Sequence, residues 1–324
     1  MANIAITKYC NLNCAYCFAE TMLEERETKN ITIPQFKKIL QWINKTPNNE
    51  RIGIIGGEPT LHPEFSKILF ILTHFCETTH RPSIIFTNGV YLKPYLNQIG
   101  RNTSVLINVN TPRDMNKEQY DSMLETLDLL YQHNKIQTIN AQYSIGCNLT
   151  MDIDDYDFFW NIVKKYEIPQ VRMSVVSPVQ DKYKNDKELY YSNMKPIFLK
   201  FVRTAKELNV KLHPDCSQIP CCYFSDSELK LISSIVENYG QTICEPVVDI
   251  TADFKACSCF GTYDLIDCSL FDTLDELKRY LNYKINYVRC LNNNQNEKCK
   301  LCEQHKLLKC QGGCLAFSKM DNII

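Results

Sequence analysis

The chain has 324 residues, 44 % of them hydrophobic, with 36 basic and 37 acidic side chains and a formal net charge of −1. That size supports a full core, in one elaborated barrel or in a large and a small domain. The even charge balance lacks the basic footprint of a nucleic-acid binder, and no apolar run approaches the ~18 residues of a membrane span. The opening residues lack the pattern of an export signal, so a cytoplasmic protein with no membrane or nucleic-acid partner is expected.

In chain order, short apolar runs predict strands at 4–7, 52–55, 83–87, 105–109, 139–145 and 171–175. Amphipathic stretches between them predict helices at 33–44, 65–76, 117–132 and 156–166, with Pro34 and Pro63 marking two starts. Six strands alternating with helices predict an α/β fold with a parallel sheet, barrel-like or doubly wound. After Tyr183 a helix at about 193–208 leads into His213-Pro-Asp-Cys-Ser-Gln-Ile-Pro-Cys-Cys222, and a further helical stretch runs to Asn238. From Cys244 onward cysteines dominate, and a second domain is placed there. The expected boundaries are 1–208 for the barrel, 209–243 for a bridging segment and 244–324 for a small cysteine-rich domain.

Several predicted strands carry a polar face: Asn108 and Asn110; Asn140, Gln142 and Ser144; Arg172 and Ser174. Strands covered by helices should be apolar on the outside, so these faces point inward and suggest a cavity for a polar ligand. Exposure at an edge strand is the alternative.

Seventeen cysteines stand against six histidines. Without an export signal the thiols should be reduced, and thiolate-rich ligation favours iron–sulfur clusters or Cys-only zinc. Cys76 and Cys147 sit in apolar segments and read as ordinary buried thiols. Directly after the first predicted strand stands Cys10-Asn-Leu-Asn-Cys14-Ala-Tyr-Cys17. Three cysteines can ligate three irons of a four-iron, four-sulfur cluster and leave the fourth iron open to an exogenous ligand. The second strand ends in Gly56-Gly57-Glu58-Pro59-Thr60, and the third in Thr87-Asn88-Gly-Val90. Glycines permit close backbone approach, and a carboxylate pairs with an ammonium.

These motifs resemble those of the radical S-adenosylmethionine (SAM) superfamily. The resemblance implies a partial (β/α)6 TIM-like barrel with SAM bound at the C-terminal ends of its strands. By carry-over, Cys10, Cys14 and Cys17 hold the cluster and Tyr16 lies against the adenine. Gly56, Gly57, Glu58 and Pro59 meet the methionine amino group, with Thr87 and Asn88 at the next strand end. Asn108 stands at a ribose or carboxylate contact. Ser144 and Arg172 are further candidates by strand-end position, as is Tyr143, which otherwise reads as an outward-facing core residue.

Downstream, Cys244 and Cys259, then Cys299-x-x-Cys302, Cys310 and Cys314 resemble the SPASM extension of that superfamily, which carries auxiliary iron–sulfur clusters. The resemblance implies a first auxiliary cluster on Cys244, Cys259 and Cys314 and a second on Cys299, Cys302 and Cys310. Phe254 stands where a glycine is usual, the gap between Cys302 and Cys310 is long, and the extension's final cysteine is absent. Candidate fourth ligands are Cys216, Cys221 or Cys222 for the first cluster and Cys268 or Cys290 for the second. A shorter, single-cluster Twitch type is the alternative, and a four-thiolate zinc knuckle on Cys299, Cys302, Cys310 and Cys314 is another.

Enzymes with this combination mostly modify peptides. The expected function is therefore a peptide maturase that cleaves SAM to a 5′-deoxyadenosyl radical and forms a thioether or carbon–carbon crosslink. A flavodoxin or ferredoxin would supply electrons, and a separate recognition protein could deliver the peptide, since the cysteine motif starts too early for an N-terminal peptide-binding domain. The alternatives are a sulfatase maturase (formylglycine formation), a peptide epimerase, a small-molecule dehydrogenase, or a non-catalytic metal-binding module. No catalytic acid, base or hydrogen donor is assigned.

Overall fold

The structure is a computed structural model. It describes every residue except 18–28, 48–49, 137–141, 177–185, 216–217, 240–246, 260–264, 292–296, 308–309, 311 and 318–324, and leaves out the side chains of 136, 289–291 and 297–298. In chain order its main elements are β1 (Ala2–Ala5), α1 (Ile33–Asn44), β2 (Ile52–Ile55), α2 (Phe65–Thr79), β3 (Ser83–Thr87), β4 (Thr103–Asn108) and α3 (Lys117–Ile136). Then follow β5 (Tyr143–Leu149), α4 (Asp157–Lys165), β6 (Gln170–Val175), α5 (Lys187–Glu207), β7 (Lys211–Pro214) and α6 (Asp226–Ile235). The remainder comprises β8 (Val248–Ile250), β9 (Lys255–Cys257), β10 (Ile266–Asp267), α7 (Leu274–Leu291), α8 (Glu297–Leu301) and α9 (Glu303–Lys306). The expected α/β class with a mostly parallel sheet and a TIM-like core is what the chain adopts. Among the described residues, no helix is long and apolar enough to cross a membrane.

The chain divides into two compact units, Met1–Ile145 with Pro246–Leu281, and Gly146–Glu245 with Asn282–Ile324. In the first, β1 is buried along its whole length, as a parallel strand covered on both faces must be. It pairs parallel with β2 from Ala2↔Ile52 to Ala5↔Ile55, and β3 and β4 continue the parallel order. On its other side β1 pairs parallel with β8, from Ala2↔Val248 to Ile4↔Ile250, and the antiparallel β9 and β10 extend that edge. Asn3 donates to Asp249 Oδ1 across the β1–β8 pair at 2.7 Å.

Helix α1 begins where its sequence says it should. Thr32 and Gln35 form a reciprocal capping box, Pro34 sits in the first turn, and Phe36, Ile39, Leu40 and Ile43 bury one stripe. The turn from β8 to β9 holds Phe254 at φ 59°, in the left-handed region that favours glycine. Its ring packs edge-on against Trp42 at 5.4 Å, and Lys38 Nζ lies 5.1 Å above it. The position thus has the backbone geometry of the glycine that the sequence lacks.

In the second unit β5, β6 and β7 run parallel, with Gly146↔Arg172 and Gln170↔Lys211 in register. An aromatic core fills it: Trp160 and Phe201 lie 4.4 Å apart, and Tyr190, Tyr191 and Phe198 are buried. Strand β5 covers Tyr143–Leu149, and the first part of the expected 139–145 run, with Asn140, lies outside the described residues. The segment read as a bridge contains β7, a further parallel strand. Because β6 is paired on both sides, its polar face is not an exposed edge. Arg172 is ion-paired with Asp215 at 2.5 Å, and Ser174 donates to Asn148 Oδ1.

Candidate functional site

The loop that carries the first three cysteines is clasped at its base. Leaving β1, the chain is held by Ile6 N–H donating to Ile55 O at 2.9 Å, Gly57 N–H to Thr7 O at 2.9 Å and Glu58 N–H to Tyr9 O at 2.7 Å. A Cβ on Gly56 would lie 2.5 Å from Thr7 O, and one on Gly57 would lie 2.3 Å from Tyr9 O. The glycines therefore let two strand exits touch, backbone to backbone. The returning chain closes the loop through Lys8 N–H to Lys29 O at 2.9 Å, Ile31 N–H to Ile6 O at 2.8 Å and Thr7 Oγ1 to Asn30 Oδ1 at 2.7 Å. His62, buried, accepts from Glu64 N–H on Nδ1 at 3.1 Å. Its Nε2 therefore carries the proton, which it donates to Ile31 O at 2.8 Å.

On this clasp Cys10 is exposed while Cys14 and Cys17 are half-buried. A turn joins the latter two, Cys17 N–H to Cys14 O at 3.0 Å, and Leu12 N–H donates to Cys10 Sγ at 3.4 Å. The three thiols lie within electrostatic reach of one another. Burial pushes Cys10 up, and burial with the charges of Asp114, Cys10 and Cys17 pushes Cys14 up to about 12. Thiols so raised stay protonated near neutral pH, so cation uptake here would release protons. Among the described residues, no three His, Cys, Asp or Glu side chains stand at the separation of a single-ion site. A four-iron cluster asks for something looser, since each thiolate takes a different iron. Three thiols on one short clasped loop, with a backbone N–H directed at one sulfur, fit that group.

Glu58 is 1 % exposed, and burial pushes its carboxyl up while its hydrogen bonds pull it down. Its Oε1 accepts from Thr60 N–H at 3.1 Å, Thr60 Oγ1 at 2.6 Å and Thr87 Oγ1 at 2.7 Å. Its Oε2 accepts from Asn88 N–H at 2.8 Å. A carboxylate has about four acceptor positions, so the Oε2 side keeps room for another donor. Asn88 donates in turn to Asn11 Oδ1 at 2.8 Å, and Gln119 to Asn11 O at 2.9 Å. Pro59 is buried in the short turn after Glu58. Glu58, Thr87, Asn88 and the cysteine loop thus form one connected network.

The fourth strand contributes a different residue from the one singled out in the sequence. Asn108 is half-buried at the end of β4, where its carbonyl accepts from Asn110 Nδ2 at 3.1 Å. Asn110, buried two residues on, meets the loop: its Oδ1 accepts from the Tyr16 hydroxyl and from Cys14 Sγ at 3.7 Å. The signal was its alternation with Asn108 on one face, which carries the same polarity beyond the strand end, nearer the loop. Ser144 and Tyr143 are half-buried on β5. Arg172 belongs to the second unit, where Asp215 occupies it.

Of the remaining cysteines, Cys76, Cys147, Cys257 and Cys268 are buried, the first two as expected. Cys259 is half-buried in the first unit. Cys216 and Cys244 lie outside the described residues, as does the side chain of Cys290. In the second unit Cys302 N–H donates to Cys299 O at 3.1 Å, Cys310 N–H to Gln304 O at 3.2 Å and Cys314 N–H to the Tyr191 hydroxyl at 2.8 Å.

Comparison with known proteins sets this geometry in context. Residues 4–156 match the model of the Radical SAM superfamily. The chain is 32 % identical over 80 residues to the 7-carboxy-7-deazaguanine synthase of Methanothermobacter thermautotrophicus, a match that spans 25 % of this chain and only 30 % of that enzyme. Its fold is shared with Streptococcus suis SuiB, solved with S-adenosylmethionine and with the precursor peptide SuiA. The TM-score is 0.66 at 16 % identity, over 97 % of this chain and 72 % of SuiB in the S-adenosylmethionine complex. It is likewise shared with anSMEcpe, solved with AdoMet alone and with AdoMet and the Cp18Cys peptide. There the TM-score is 0.67 at 16 % identity in the peptide complex, over 99 % of this chain and 91 % of that one.

Proposed function

Residues 4–156 are a radical SAM domain, and on that premise we propose that this radical SAM enzyme modifies a peptide, forming a thioether or carbon–carbon crosslink. Cys10, Cys14 and Cys17 would hold the four-iron, four-sulfur cluster, whose reduced form supplies the electron that breaks the SAM sulfonium C–S bond and gives a 5′-deoxyadenosyl radical. The chain's own part is to position and to exclude. The clasp of Thr7–Tyr9 on Gly56 and Gly57 fixes the cysteine loop against the end of β2. The Oε2 side of Glu58 would take an ammonium donor, in line with the expected contact to the methionine amino group. Thr87 and Asn88 orient that carboxylate, and Asn110 holds Tyr16 and Cys14 in place. Gly56, Gly57, Pro59, Asn108, Ser144 and Arg172 remain the further proposed contacts to SAM or substrate.

The observation that carries the SAM chemistry is the convergence of the cysteine loop and the Glu58 network at one end of the sheet. The peptide reading draws on the fold shared with SuiB and anSMEcpe, both solved with peptides. A small-molecule substrate is the second reading, favoured by the likeness to the deazaguanine synthase. One or two auxiliary clusters would be held by Cys244, Cys259 and Cys314 and by Cys299, Cys302 and Cys310. A flavodoxin or ferredoxin would serve as electron donor, and a separate protein could present the peptide.

Anaerobic reconstitution followed by reduction in the presence of SAM tests the first step. Wild type should yield 5′-deoxyadenosine, and the Cys10/Cys14/Cys17→Ala variant should yield none and bind about four fewer irons. Equal iron in both proteins would refute the assignment. Peptide and nucleobase substrates, scored for deuterium transfer to 5′-deoxyadenosine, separate the two substrate readings.

A further inference from the structure

The stretch between Cys10 and Cys14 is held from two sides, and one of its polar groups is left over. Asn116 and Gln119 bond reciprocally at the start of α3. Gln119 N–H donates to Asn116 Oδ1 at 2.9 Å, and Asn116 N–H to Gln119 Oε1 at 3.0 Å. That bond fixes which end of the Gln119 amide is oxygen, and its Nε2 donates to Asn11 O at 2.9 Å. Asn88 is fixed in the same way. Its Oδ1 accepts from Val90 N–H at 3.0 Å, so it presents Nδ2 to Asn11, and the atom 2.8 Å away is Asn11 Oδ1.

The Asn11 amide therefore has one orientation. Its acceptor end is spent on Asn88, while its Nδ2 donor is closed off from solvent and has no hydrogen-bond partner among the described residues. Buried donors are nearly always paired, because an unpaired one gives up its hydration for nothing. Two groups of the occupied site could supply the acceptor: the cluster sulfurs and the methionine carboxylate of SAM.

The network favours the cluster. Asn88 faces two ways: its backbone N–H serves Glu58 Oε2 at 2.8 Å, where the ammonium is expected, and its side chain serves Asn11 on the cysteine loop. Asn11 thus stands one hydrogen bond further from Glu58 and directly follows a cluster ligand in the chain. Its other neighbour, Leu12, already directs a backbone N–H at Cys10 Sγ, 3.4 Å away.

We infer that Asn11 Nδ2 donates a hydrogen bond to a sulfur of the cluster held by Cys10, Cys14 and Cys17 and raises its reduction potential. The inference rests on the assignment of that cluster above. Reduction adds negative charge to the cluster, so an N–H donor stabilises the reduced form more than the oxidised one. Asn88 and Gln119 act through Asn11, as positioning residues. A cluster so poised is easier for a one-electron donor to reduce.

Redox titration of the whole, anaerobically reconstituted chain without SAM tests this, read by electron paramagnetic resonance. The signal missing from the Cys10/Cys14/Cys17→Ala variant belongs to this cluster; if no signal is missing there, the cluster assignment itself fails. At the wild-type midpoint, Asn11→Ala should lower the ratio of reduced to oxidised cluster at least ~3-fold, a fraction of one charge-assisted hydrogen bond. Its iron content should stay at the wild-type level. Asn13→Ala, exposed on the same loop, should leave the ratio unchanged. An unchanged midpoint in Asn11→Ala with weakened SAM binding would give the donor to the carboxylate and overturn the proposal, as would a midpoint and SAM affinity both unchanged.

A second measurement needs no substitution. In wild-type protein labelled with ¹⁵N in its asparagine side-chain amides, pulsed resonance of the reduced, SAM-free cluster should show coupling to an amide nitrogen. The coupling should be absent from the signal that remains in the Cys10/Cys14/Cys17→Ala variant. No such coupling in wild type overturns the Asn11 assignment even if Asn11→Ala fails to load iron, and leaves the cluster standing.

Discussion

At Phe254 the left-handed backbone and the ring contacts pull in opposite directions. A non-glycine residue in that region costs ~1–2 kcal/mol, while an edge-on aromatic pair such as Phe254–Trp42 returns ~0.5–1.5 kcal/mol. Replacing the ring therefore exposes the backbone cost. Phe254→Ala keeps the strain and loses the contact, whereas Phe254→Gly loses the contact and the strain together. In urea unfolding the glycine variant should be the more stable of the two by about 1 kcal/mol, the reverse of the usual ranking. The opposite order would mean that the turn relaxes out of positive φ. Asn110 makes a second residue-scale case. Asn110→Ala strips the acceptor from the Tyr16 hydroxyl and Cys14, so it should cost ~1–3 kcal/mol and hasten iron loss to a chelator more than Asn108→Ala does. The sequence named the polarity of this strand end but not which asparagine meets the loop, because alternation gives a face and not a depth. It also marked Gly56 and Gly57 as sites of close approach; what approaches is the chain's own Thr7 and Tyr9.

Among the elements, those with chemical punctuation were readable. Helix α1 matches its predicted limits because Thr32, Pro34 and Gln35 state the start and the stripe from Phe36 to Ile43 states the buried face. Thr32→Ala removes half of the capping box and should lower stability by about 1 kcal/mol, seen as a fall in the urea midpoint at unchanged slope. Strand β5 is legible from Tyr143 to Leu149, where it pairs with β6 at Gly146↔Arg172, and the start of its expected range, 139–141, lies outside the described residues. Strand β7 is not legible in the sequence, because Lys-Leu-His-Pro is short and proline argues against a strand interior.

Across the whole molecule, chain order and compact units part company. Strand β8 lies beside β1, yet Asn3 and the Asp249 it bonds are 246 residues apart. A fragment of residues 1–208 lacks β8 and would leave β1 with an open edge along a fully buried, apolar strand. Expressed alone it should aggregate, whereas the full chain should stay in solution after centrifugation under the same conditions; a soluble, cooperatively unfolding fragment would show the edge to be dispensable.

The same pairing sets a clock on biosynthesis. At ~5–20 residues per second, the ribosome delivers β8 roughly 12–50 s after β1. For that interval the nascent chain carries Cys10, Cys14 and Cys17 on a strand whose second neighbour has not yet been made. Iron delivered within that interval would meet an unfinished scaffold, so metallation at these thiols should follow the emergence of β8.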